Sequence, residues 1–170
     1  IFYLKDCRRS DIWRHKYTES YKINRVYDDE FLGGPFFKLG FDIIEELKIQ
    51  RLSHQFLEGD DCIAIFAKDL LKANPDYMVY IIANDMDYLQ LASEKVKLIN
   101  LKYKYLTDNK NWSGDPKKDL FCKIVMGDKS DNIPSIFKKC GPKTAEKYYE
   151  NSELIKKQLE KEDAYERYEK

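Results

Sequence analysis

Tyr77-Met78-Val79-Tyr80-Ile81-Ile82-Ala83-Asn84-Asp85-Met86-Asp87 decides the fold. Seven residues rich in β-formers make an apolar run short enough for a buried strand, and two carboxylates follow it at once. Upstream, residues 1–4 form a second short apolar run that leads into Asp6. Between the two runs, residues 36–47 and 62–71 have helical spacing, the latter with Ile63, Phe66, Ala67, Leu70 and Leu71 on one face. Strands alternating with helices predict an α/β fold whose parallel sheet is covered on both sides. In such sheets sites form beyond the carboxyl ends of the strands, which is where Asp6, Asp85 and Asp87 fall.

Downstream, residues 96–101 read as another strand and residues 102–118 as a polar connection bearing lysines. A helix is predicted over 116–126, with Pro116 in its first turn and Gly127 as its stop. Residues 128–134 make a turn, and a further helix opens over 143–149 after Gly141 and Pro142. The chain closes in a charged, helix-like stretch.

The chain has 170 residues, enough for one real core. Its 30 basic and 30 acidic residues cancel, but they are sorted along the sequence. Residues 5–25 carry Lys5, Arg8, Arg9, Arg14, Lys16, Lys22 and Arg25 against Asp6, Asp11 and Glu19, whereas Asp28, Asp29 and Glu30 end that basic stretch. Lys138, Lys139, Lys143 and Lys147 surround Gly141. The four cysteines are dispersed, with no Cys-x-x-Cys pair and two histidines, so reduced thiols are expected and neither a disulfide framework nor a zinc site. No apolar run approaches the roughly 20 residues of a membrane span. A soluble, intracellular monomer is expected.

Four acidic groups recur in order: Asp6; Glu58, Asp60 and Asp61; Asp85 and Asp87; Asp128 and Asp131. Each has a plain structural reading. Glu58-Gly59-Asp60-Asp61 suits the start of a helix, Asp85 and Asp87 an ordinary loop, and Asp128 and Asp131 an Asx turn. Gathered at strand ends without cations, however, these carboxylates would repel one another, and their joint order suggests a metal site. Mg²⁺ prefers such oxygens, and two of these ions about 4 Å apart support phosphodiester hydrolysis. Arg14, Lys16, Lys22 and Arg25, interleaved with Trp13, Tyr17 and Tyr21, offer charge for phosphates and rings for unpaired bases. The alternative is a solvated helix face over core aromatics. Gly141-Pro142-Lys143-Thr144-Ala145 places amides and a lysine at a helix start, an anion site.

Gly127-Asp128-Lys129-Ser130-Asp131-Asn132-Ile133-Pro134, followed by Gly141-Pro142-Lys143-Thr144-Ala145, resembles the signature of the 5′ to 3′ exonuclease and flap endonuclease family. That family includes bacteriophage 5′ nucleases and the 5′ nuclease domain of bacterial DNA polymerase I. Glu58-Gly59-Asp60-Asp61 is similar to its Glu-Ala-Asp-Asp motif, Asn84-Asp85-Met86-Asp87 to its Asp-x-Asp motif, and Tyr21-Lys22-Ile23-Asn24-Arg25 to its Tyr-Lys-x-x-Arg segment. The resemblance implies a PIN-like (resolvase-like) fold over residues 1–115, with a helical arch about 8–48, and a helix-three-turn-helix module over 116–170.

It further implies one metal group of Asp6, Glu58, Asp60 and Asp61 and a second of Asp85, Asp87, Asp128 and Asp131. Lys22 and Arg25 would steer the scissile phosphate. Arg14, Lys16, Tyr21, Lys138, Lys139, Gly141, Lys143 and Thr144 would touch nucleic acid. Two Mg²⁺, with Mn²⁺ as substitute, and a K⁺ in the three-turn motif are the implied ions. DNA with a 5′ single-stranded flap or end is the implied substrate. The alternatives are a catalytically degenerate module binding branched DNA, and a PIN-type ribonuclease acting on RNA.

The chain departs from the family pattern at several points. Relatives begin with a strand, ending in an aspartate, upstream of anything like residues 1–6, and continue into helices after residues 164–170. The expectation is a piece truncated at both ends. Lys139 stands where relatives have the first glycine of the hairpin, Ser135 replaces a glycine after Pro134, and the loop is one residue longer.

Overall fold

The computed structural model describes residues 1–25 and 33–169. Asp28, Asp29 and Glu30, with part of the expected arch, lie outside the described residues. The fold is α/β with parallel strand pairing. Strand β1 (Phe2–Lys5) pairs with β2 (Gln50–Ser53), Phe2 opposite Gln50 and Lys5 opposite Ser53. Strand β3 (Val79–Ile82) pairs with β4 (Val96–Ile99), Val79 opposite Val96 and Ile82 opposite Ile99.

The parallel pairing predicted is present, arranged among the described residues as two ribbons of two strands each. An apolar slot of about 680 Å³ lies between β1 and β3, floored by Ile63, Phe66, Ala67 and Leu70 of α2 (Gly59–Ala73), which packs on both ribbons. Strand β2 was not anticipated. Leu52 is its one aliphatic residue, so its pairing with β1 and not its own pattern defines it.

Helix α1 (Gly34–Glu46) buries no residue. It meets the first ribbon through Phe41, whose ring lies 6.0 Å from that of Tyr3 and takes the Lys5 ammonium at 5.0 Å. Helix α3 (Pro116–Met126) begins with the Asp115 carboxylate accepting the Lys117 amide at 2.8 Å. It stops at Gly127, where φ is +73° and a Cβ would lie 2.5 Å from the Pro134 carbonyl carbon, so no other residue fits. Helices α4 (Pro142–Glu150), α5 (Ser152–Lys161) and α6 (Tyr165–Glu169) follow.

Two cores result. One, around fully buried Leu98, joins β3 and β4 to the 3-10 turn Met86–Leu91 through Ile81, Tyr88, Leu89 and Val96. The other packs Val125 of α3 against Phe137, Ala145, Tyr148, Ile155 and Leu159. The acidic residues sit on the segments that leave β1 and β3, at the start of α2 and on the loop between α3 and α4. No described helix is long and apolar enough to cross a membrane.

Candidate metal centre

The site is assembled from four element ends. Asp6 leaves β1, and its Oδ1 accepts the Gly59 amide, so the end of that strand is tied to the start of α2. Gly59 permits this approach, since a Cβ there would stand 3.0 Å from the same oxygen. Glu58 precedes α2 and is 6% exposed, among the most buried polar residues described. Asp61 caps the helix by accepting the Glu58 amide at 3.1 Å. Glu58, Asp60 and Asp61 each present a ligand atom within 4.8 Å of the others.

The second group comes from two turns. Asp85 caps the 3-10 turn by accepting the Asp87 amide at 2.8 Å. Asp128 closes a six-residue loop with Ile133 through N–H donation both ways, 2.9 and 2.7 Å, and its Oδ1 accepts the Ser130 amide at 2.8 Å. The capping and Asx-turn readings of these acids are thus correct locally. They do not compete with a site: Asp6, Glu58, Asp60, Asp85, Asp87, Asp128 and Asp131 line one cavity of about 470 Å³ together with Lys22 and Arg25. Asp61 is not among its lining residues.

Cations balance the carboxylates within the chain. Arg14 donates to Glu58 Oε2 at 3.0 Å and to both oxygens of Asp61 at 2.7 and 2.8 Å, while Trp13 Nε1 donates to Asp61 at 3.0 Å. Lys22 donates to Glu58 at 2.5 Å and stands 4.0 Å from Asp131, which accepts from Arg25 at 2.6 Å. Burial pushes the Asp61 carboxyl up, but the hydrogen bonds from Arg14 and Trp13 outweigh it and hold it below the ordinary range. Asp60 goes the other way: burial raises it, and the Asp61 amide only partly offsets this.

Lys123 of α3 was not anticipated from the sequence. Its ammonium bonds both oxygens of Asp87 and lies 2.9 Å from Asp128, joining the two turns. Burial works to raise the Asp128 carboxyl, but hydrogen bonds from Ser130 and Lys123 prevail and hold it at about 2. The available signal was a lysine in the last turn of a helix that ends just before Gly127 and Asp128.

Other expected contacts differ in role. Tyr21 is 3% exposed, and its hydroxyl donates to Glu58 at 2.8 Å and lies 3.3 Å from an Asp131 oxygen. The expectation of a ring open to a base is corrected there, because the ring is core and the hydroxyl orders carboxylates. Lys16 is exposed, with its ammonium 5.6 Å from the Phe56 ring centroid. The 21–25 segment docks on the loop after α3: the Lys22 amide donates to the Asp131 carbonyl at 2.8 Å and Asn24 to the Lys129 carbonyl at 3.1 Å.

At the hairpin, Lys139 adopts φ +59°, the left-handed region that explains why glycine suits that position. Ser135 instead uses its hydroxyl, donating toward the Val125 and Phe137 carbonyls. The Lys138 amide donates to Glu162 at 3.0 Å. The anion site expected at Gly141 is narrowed, since Thr144 and Ala145 amides bond back to the Gly141 carbonyl at 2.9 and 3.0 Å. Lys143 remains exposed beside Gly141, where a Cβ would meet open space.

Residues 1–116 match the family described as 5′-3′ exonuclease, N-terminal resolvase-like domain. The chain is similar to the 5′-3′ exonuclease of Bacillus subtilis, 33% identical over 159 residues, which cover 89% of this chain and 52% of that protein. It is also 34% identical over 146 residues to DNA polymerase I of Borreliella burgdorferi, covering 72% of this chain and 16% of that one. The chain thus spans about half the length of the first relative and a small part of the second.

Among solved structures, a bacteriophage T5 flap endonuclease complexed with DNA and metal ions superposes with a TM-score of 0.69 at 22% identity, covering 92% of this chain and 61% of that one. A T5 5′-exonuclease with bound zinc gives 0.66 at 22%, covering 82% and 56%. These likenesses establish the resolvase-like fold.

Proposed function

The chain belongs to the family of 5′-3′ exonucleases through its resolvase-like domain, and from that premise we propose that it hydrolyses phosphodiester bonds of DNA at 5′ flaps or 5′ ends. One observation carries this reading: seven carboxylates from four separate segments line a single cavity together with Lys22 and Arg25. The donor set suits two Mg²⁺, with Mn²⁺ as substitute, because all donors are hard carboxylate oxygens and Glu58, Asp60 and Asp61 lie within 4.8 Å of one another. Asp6, Glu58 and Asp60, with Asp61 beside the cavity once released by Arg14 and Trp13, would hold one ion, and Asp85, Asp87, Asp128 and Asp131 the other. When bound, the ions supply an activated water and stabilise charge on the attacking and leaving oxygens.

The chain's own residues bind and orient the substrate. Lys22 and Arg25 place positive charge on the cavity wall, where the scissile phosphate lies against the carboxylates. Arg14, Trp13 and Tyr21 hold Glu58 and Asp61 in position and so act through the carboxylates. Lys138, Lys139, Lys143 and the turn before α4 would engage duplex backbone, with K⁺ on the backbone oxygens of that turn. The proposed division at about residue 115 would set the resolvase-like part, with Asp6, Glu58, Asp60, Asp85 and Asp87, against a part that completes the cavity with Asp128 and Asp131 and carries the duplex-binding turn.

A second reading, a module that binds branched DNA without cutting it, is favoured by the internal pairing of Arg14, Lys22 and Lys123 with the carboxylates. Cleavage of a 5′-labelled flap duplex separates the two. Cutting in Mg²⁺, lost in EDTA and in Asp60→Asn and Asp128→Asn while DNA binding stays within a few fold, is the expected result. Variants that cut at the normal rate would overturn the assignment, and an RNA flap cut in preference to DNA would move it to the ribonuclease alternative.

A further inference from the structure

The turn after β4 is built in a way that its role as a connection does not require. Ile99 and Tyr105 form an antiparallel bridge around Asn100-Leu101-Lys102-Tyr103-Lys104. Every amide of residues 101–104 is tied down: Lys102 and Lys104 donate to Asn100 Oδ1 at 2.9 and 3.0 Å, Tyr103 to the Asn100 carbonyl at 2.9 Å, and Leu101 to Asn84 Oδ1 at 3.2 Å. The turn is therefore preorganised. Asn84, which anchors it, immediately precedes Asp85, so the turn stands at the carboxyl edge of the sheet beside the second acidic group.

Its side chains, by contrast, face solvent. Tyr103 is 90% and Leu101 67% exposed, and Lys102 and Lys104 are exposed and make no ion pair among the described residues. Tyr103 has φ +58°, a region that disfavours a bulky side chain and that glycine or asparagine occupies freely. A tyrosine held there gains nothing from packing, and backbone kept in a sparsely populated region points to use elsewhere. An exposed ring between two unpaired lysines is the combination that binds single-stranded nucleic acid, the ring stacking on a base and the ammonium groups meeting phosphates.

We propose that the 100–104 turn binds the single-stranded arm of the substrate, with Tyr103 stacking on an unpaired base and Lys102 and Lys104 paired with its phosphates. This rests on the nuclease reading above and adds residues that reading does not use. Fluorescence anisotropy of the full chain in EDTA, with a labelled 5′-tailed duplex and a blunt duplex of the same pairs, tests it.

Tyr103→Gly, which suits the backbone there, is expected to bind the tailed duplex at least fivefold more weakly and the blunt duplex as wild type does, with Tyr103→Phe within twofold on both. Tyr103→Asn serves as a second variant compatible with the turn. Lys102→Gln with Lys104→Gln should lower the slope of log affinity against log salt by about 1.4, roughly 0.7 for each single-strand phosphate that a lysine no longer neutralises. Tailed-duplex binding within twofold of wild type in Tyr103→Gly and Tyr103→Asn, or an equal weakening on both duplexes, would overturn the inference alone. A wild-type chain that binds neither duplex would overturn it together with the nuclease reading.

Discussion

The two acidic groups carry similar charge but are held in opposite ways. Around Glu58 and Asp61 the compensating groups come from a single short segment, Trp13, Arg14, Tyr21 and Lys22, and the Glu58 side chain is 8% exposed. Around Asp87 and Asp128 the link is Lys123, a residue of the core-packed helix α3, and Asp87 remains 43% exposed. Glu58 and Asp61, like Asp131 of the second group, are thus compensated by the segment that the function would offer to substrate, whereas Asp87 and Asp128 are compensated by the scaffold. Moving the 13–22 segment would uncover charge at Glu58 and Asp61 and at Asp131, which Tyr21 and Lys22 also reach, and would leave the Lys123 bridge between Asp87 and Asp128 in place.

Stability measurements put that contrast at risk. Glu58→Ala removes the acceptor of Arg14, Tyr21 and Lys22 at a buried position and should cost about 3 kcal/mol in urea unfolding, as for one partner of a buried pair. Asp87→Asn, at the exposed end of a bridge whose lysine keeps Asp128, should cost less than about 1 kcal/mol. Equal costs would show that the two groups are held alike.

Acid unfolding resolves the second group further, at Lys123. Because the folded Asp128 carboxyl lies below its ordinary value of 3.8, its contribution is complete above that pH and is lost as pH falls toward about 2. In Lys123→Met, measured in EDTA, that acid limb should shift to higher pH, with a loss of about 1.5 kcal/mol at neutral pH. An unmoved acid limb would mean that Ser130 alone sets the Asp128 carboxyl.

Much of this architecture was legible where local chemistry acts alone. The apolar run ending at Asn84-Asp85, Pro116 opening α3 and Gly127 closing it are short-range signals, and the structure follows them closely. Strand β2 was not legible, because Gln50-Arg51-Leu52-Ser53 has little strand pattern and depends on β1 for its pairing. The division into two ribbons was equally hidden, since alternation of strands and helices fixes direction but not which edges meet.

For the site, the acidic residues stood out by their order, and seven of the eight meet in one cavity. Their cations did not stand out. Lys123 is one lysine among many, and only the packing of α3 against the 86–91 turn brings it to Asp87. Tyr21 looked like a surface ring because it alternates with basic residues, yet its burial and its two carboxylate partners make it structural.

If the two groups form one metal-holding centre, both must contribute to ion uptake. Electron paramagnetic resonance of Mn²⁺ titrated into the full chain measures this directly, independently of cleavage. Saturable uptake by the wild-type chain, reduced in Asp60→Asn and in Asp128→Asn and abolished when both are changed, is the predicted result. Uptake by the doubly changed chain equal to that of wild type would contradict it.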